Sequence, residues 1–71
     1  MIKKVNMTDG ERAALAAEIM KWRGTTPLAR ASQRLGVPLR TMQGIEQGRG
    51  FPYPSLLRLA MAKVGALDNG N

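Results

Sequence analysis

Histidine and cysteine are both absent from this chain of 71 residues. Thiolate and imidazole metal sites, and every nucleophile or base arrangement built on those side chains, are therefore excluded. The carboxylates are Asp9, Glu11, Glu18, Glu46 and Asp68. No two of them come within reach on one helix face, so paired-acid catalysis is not expected and the chain reads as a non-enzyme. Positive charge is what remains in quantity. Between Arg23 and Lys63 stand Arg23, Arg30, Arg34, Arg40, Arg49, Arg58 and Lys63 against Glu46 alone, 7 − 1 = +6. The first 22 residues add +1, and Asp68 cancels it. A cationic field confined to the middle of a chain suits a polyanion, nucleic acid first and an anionic membrane surface second.

Length sets the next bound. A chain of 71 residues holds one small core and has little spare apolar surface for lining a deep cavity. Binding is thus expected on an outer face, with no small-molecule ligand, cofactor or metal. No apolar run approaches the roughly 18 residues of a membrane span, and "MIKKVNMTDGER" lacks the apolar stretch of a signal peptide. A soluble, cytoplasmic protein is the expectation.

The elements that must position these cations follow from periodicity and punctuation. Residues 1–7, with Ile2, Val5 and Met7 among polar neighbours, read as an arm or short strand. Thr8 with Glu11 fits a capping box. It opens a helix to about Arg23 with Leu15, Ala16, Ile19 and Trp22 inward and Glu11, Arg12, Glu18 and Lys21 outward. Gly24 stops it. Thr25 or Thr26 as N-cap and Pro27 in the first turn predict a second helix over about 27–35. Leu28, Ala31, Ser32 and Leu35 form its inner stripe, and Arg30, Gln33 and Arg34 face water. Gly36 ends this helix in the left-handed region. Val37 turns inward, and Pro38 opens a third helix in which Met42 and Ile45 are buried while Arg40, Gln43, Gly44 and Gln47 face out. Two short helices around a tight glycine turn make a helix-turn-helix.

"GRGFPYP" then reads as a loop, pinned to the core by Phe51 and Tyr53. A helix beginning at Pro54 or Ser55 is apolar almost all round, so that Leu56, Leu57, Met61 and Val64 are expected to meet a second subunit. Residues 66–71 read as a flexible tail, leaving 8–65 as the domain. The fold expected is all-α, a small bundle of four helices, or five. Trp22 and the methionines are expected to fill the core, and Glu46 to orient Arg30, Arg34 or Arg49.

The string "ASQRLGVPLRTMQGIEQGR" resembles the lambda-repressor-like helix-turn-helix family of DNA-binding proteins (Cro/repressor, Xre-like), over roughly residues 26–63. The resemblance rests on Ala31-Ser32, Leu35-Gly36-Val37, Thr41-Met42, Ile45-Glu46, Gly48-Arg49 and Pro54-Ser55 before a Leu-rich helix. It implies that the third helix lies in the major groove of double-stranded DNA. Leu39, Arg40, Gln43 and Gly44 would face the bases, with Arg40 two-pronged on guanine and Gln43 on adenine. Thr26, Arg30, Gln33, Arg34, Thr41 and Arg49 would lie near phosphates. The implied function is a sequence-specific transcriptional regulator, a repressor binding an inverted-repeat operator as a homodimer. Neutralising about six phosphates per unit would give a slope of log K on log salt near −5.

Other classes compete with this reading. One is an antitoxin-like or interaction module whose Leu-rich last helix binds a different protein, with DNA secondary. Another is RNA binding. One Trp, one Tyr and one Phe give few surfaces for stacking single-stranded bases, which weighs against RNA.

Overall fold

The computed structural model describes residues 4–65, and residues 1–3 and 66–71 of the expected arm and tail lie outside them. Four helices follow one another: α1 (Asp9–Arg23), α2 (Leu28–Leu35), α3 (Leu39–Glu46) and α4 (Pro54–Val64). Among the described residues there is no strand. The start of α1 is set by side-chain chemistry. The Thr8 N–H donates to Glu11 Oε1 at 2.8 Å and the Glu11 N–H donates to Thr8 Oγ1 at 3.2 Å, so both ends of the capping box are made. The bond from the Thr8 N–H, first, and the Thr8 side chain hold the Glu11 carboxyl below its ordinary range.

Both prolines sit one place earlier than the sequence suggests. Pro27 and Pro38 are the N-caps of α2 and α3, with ψ of 143° and 141°. Their carbonyls accept the first helical bonds, from Ala31 N–H at 3.0 Å and Met42 N–H at 3.1 Å. Extended ψ is the ordinary N-cap conformation, and proline's fixed φ is compatible with it. Thr25 and Thr26 therefore precede the cap, and no side chain caps α2. Gly36 closes α2 at φ 72°, ψ 24°. Its N–H donates to Gln33 O, and the Val37 N–H donates to Ser32 O, which turns the chain within three residues into α3.

The core is one cluster of Met7, Leu15, Ile19, Trp22, Ala31, Met42, Ile45, Leu57 and Met61, flanked by Leu28, Leu35, Val37, Phe51 and Val64. Trp22 packs there and donates its indole N–H to the Met61 carbonyl at 3.1 Å, giving its polar edge a partner. Met7 belongs to this core although it precedes the first helix. The Val5 N–H donates to Pro52 O at 2.8 Å, and the Met7 sulfur accepts from the Phe51 N–H at 3.5 Å, so the arm is laid along the loop before α4. Met20 departs from the expectation of core filling and is exposed.

The expected subunit face of α4 needs the largest correction. Leu57 and Met61, 2% and 8% exposed, are buried in the chain's own core, so they are unavailable to a partner. They lie four residues apart on the stripe that meets the other helices. Leu56 at 43% and Leu59 at 65% face outward, with Val64 half-buried. Sequence periodicity could not choose between the two sides of a helix with apolar residues on both, and Leu59 was missed for that reason.

Candidate nucleic-acid interface

One side of α3 is anchored completely. Met42 and Ile45 have no solvent exposure, and α3 rests on α1 and α2. Because 3.6 residues make a turn, burying 42 and 45 forces 40, 43 and 47 to the opposite side. Arg40, Gln43 and Gln47 are all exposed, and so is Leu39 at the helix start. Among the expected phosphate contacts, Arg30, Gln33, Arg34 and Arg49 are exposed, while Thr26 and Thr41 are half-buried. Arg40, Thr41, Gly44 and Arg49 share the lining of a cleft of about 420 Å³ that reaches the loop at Phe51 and Pro52. Gln33 and Leu39 meet across a second cleft, where α2 turns into α3.

Gly44 corrects its expected exposure. It is buried because the side chain of Arg49 lies across it. A Cβ placed on Gly44 would stand 3.3 Å from Arg49 Cδ and 3.6 Å from its Nη1. The cause is the way α3 ends. The Gly48 N–H donates to Ile45 O at 3.1 Å and the Arg49 N–H to Gly44 O at 2.9 Å, with Gly48 at φ 94°. This paired reverse bonding around a left-handed glycine folds the residue after the glycine back over the last turn.

Glu46 also finds a different partner from any expected. It accepts two bonds from Arg23, Nε to Oε2 at 2.7 Å and Nη2 to Oε1 at 3.0 Å. Arg23 Nη1 further donates to the Thr26 carbonyl at 3.1 Å. A carboxylate in the last turn of a helix opposes the helix dipole, and the planar guanidinium offsets this while tying the ends of α1 and α3 to the turn before α2. The Glu46 bond, first, and the Glu46 charge raise the Arg23 pKa; burial opposes them. Arg58 makes a second two-pronged pair with Glu18, at 2.9 and 3.0 Å, and that bonding holds the Glu18 carboxyl below its ordinary range.

These pairs divide the positive charge into two populations. Arg23 and Arg58 are neutralised at home, whereas Arg30, Arg34, Arg40 and Arg49, on or beside α2 and α3, have no carboxylate within 4.0 Å among the described residues. Of these, Arg40 and Arg49 line one cleft beside the outer side of α3, and Arg30 and Arg34 are exposed on α2. The ion pair of Arg12 with Asp9, together with its 2.6 Å bond to Met7 O, sets Arg12 apart from them. Among the described residues no group of acidic side chains could hold a metal, and no helix is long and apolar enough to cross a membrane. A scan of protein-family models gives no match to this chain, and searches of curated proteins and of solved structures give none.

Proposed function

We propose that this protein is a cytoplasmic, sequence-specific double-stranded-DNA-binding regulator that represses transcription by occupying an inverted repeat as a homodimer. The observation that carries this reading is the division of α3. Its inner side is wholly buried while its outer side offers an arginine and a glutamine three residues apart, with exposed arginines on α2 and just past α3 that have no acidic partner among the described residues. An α-helix fits the major groove, where guanidinium and amide groups can each make two bonds to a base edge. The surrounding charge would grip the phosphates on either side. Two copies related by a twofold would set their α3 helices about 34 Å apart, one turn of the duplex. The exposed Leu56 and Leu59 support a contact through the outer face of α4.

A second reading is favoured by the same exposure: α4 seats a different protein and DNA binding is secondary. The two readings differ in how many cations engage the duplex at once.

The test is selection of bound duplexes from a random pool by the wild-type protein and by Arg40→Ala. A palindromic consensus is expected. Discrimination at one base pair per half-site should collapse in the variant by about 1 to 3 kcal/mol. Arg40 is exposed and bonds to none of the described residues, so its removal should leave the thermal midpoint nearly unchanged. An unaltered consensus in Arg40→Ala would remove Arg40 from the reading face.

A further inference from the structure

The geometry points to Arg49 as a second base-reading residue rather than a phosphate grip, with Gly44 as the seat that makes this possible; the inference rests on the DNA-binding reading above. Residue 44 follows Arg40 by one helical turn on the outward half of α3, where a reading side chain would be rooted if Gly44 had one. The root is empty, and Arg49 fills the space. Its stem crosses the glycine so closely that a Cβ would lie 3.3 Å from Cδ, and its guanidinium comes to the surface in the cleft that Arg40 and Thr41 also line.

The position of that stem is fixed by backbone. Arg49 N–H is bonded to the Gly44 carbonyl at 2.9 Å, and Gly48 holds the left-handed bend before it. Gly50, at φ 77°, presses the following loop on the Arg12 stem and the Met7 sulfur. Arg49 is therefore held at both neighbours, and its side chain starts from a set point over the helix instead of from a free loop. Among the described residues no acid pairs with it, and Glu46, the nearest acid in sequence, is held by Arg23. The roots of Arg40 and residue 44 are about 6 Å apart along the helix, which is about two base-pair steps along the duplex. A reader seated over position 44 would thus address a base pair separate from that of Arg40 in the same groove.

Glycine inside an eight-residue helix is unfavourable for helix formation. Here that cost has a use, because a Cβ at 44 already crowds the Arg49 stem, at 3.3 Å from Cδ, and a bulkier side chain would occupy its space.

The test is the same duplex selection run with Arg49→Ala, Arg49→Lys and Gly44→Leu, each with a thermal melt and a salt titration. Arg49→Ala should lose roughly fivefold to a hundredfold of preference for guanine at one base pair per half-site, near but distinct from the pair lost in Arg40→Ala. Arg49→Lys should keep the salt slope yet fail to restore that preference, because an ammonium lacks the two-pronged fork. Gly44→Leu should melt at or above the wild-type temperature, since leucine favours helix, and should lose the same guanine. The inference is overturned if Arg49→Ala weakens all sequences equally and flattens the salt slope by about one unit with the consensus intact, the mark of a phosphate contact. It is equally overturned if Gly44→Leu keeps the full consensus. A wild-type protein that selects no consensus at all would instead overturn the DNA-reading proposal on which this one stands.

Discussion

Raising salt from about 50 to about 200 mM is expected to weaken duplex binding by the paired protein roughly a hundredfold. The expectation follows from the charge inventory. Six phosphate contacts per copy is the sequence-based figure, but Thr26, Gln33 and Thr41 carry no charge and release no counterion. Of the seven cations between Arg23 and Lys63, Arg23 and Arg58 are bound to Glu46 and Glu18. Of the other five, Lys63 lies on α4, and Arg40 and Arg49 are assigned to base edges, which leaves Arg30 and Arg34 for phosphates. At about 0.9 per neutralised phosphate, two cations in each of two copies give a slope near −3.6, and a fourfold rise in salt then costs about two decades. A single copy would give a slope near −1.8 and lose only about tenfold. Binding isotherms at five salt concentrations measure this directly. A slope near −1.8 would favour the reading in which α4 serves another protein, and a flat profile would leave the charge without a role in binding.

Ile45→Ala is expected to lower stability by about 2 to 5 kcal/mol, with a fall in thermal midpoint on the order of 10 to 30 °C. Ile45 has no exposure and with Met42 forms the anchored side of α3. Removing three buried carbons leaves a cavity among Leu15, Ile19 and Met42, residues of the same cluster, which a domain of this size cannot readily collapse. Total stability for such a chain is only about 4 to 10 kcal/mol. The same truncation therefore unfolds a sizeable fraction of molecules in the warm and takes DNA binding with it. Arg40→Ala should show the opposite pattern, with binding discrimination lost and the melt unmoved. Calorimetry of both variants separates the two effects; an Ile45→Ala melt within a few degrees of wild type would show that α3 is not held by its inner side.

What was legible in the sequence was local. Thr8 with Glu11, the left-handed Gly36 and the Met42–Ile45 stripe each depend on residues within a turn of one another, and each is found as expected. Contacts made across the chain were not legible. Arg23 and Glu46 are 23 positions apart, and nothing in either neighbourhood marks them as partners. The orientation of α4 was hidden by leucines on both of its sides. Gly44 was misjudged because helical periodicity assigns a direction to a residue without saying what folds back over it; the glycine at 48 followed by an arginine was the available signal. Met7 joined the core because the loop at Phe51 and Pro52 receives the arm, a meeting that local periodicity does not describe.

The central claim is that the outer side of α3 meets the duplex. The most direct measurement is the map of backbone amide shifts, by nuclear magnetic resonance, as a mixed-sequence duplex is added at low salt. Movement is predicted at Leu39, Arg40, Gln43 and Arg49, with smaller changes at Arg30 and Gln33, and none at Leu59. Shifts gathered instead around Leu56 and Leu59, with α3 unmoved, would contradict it.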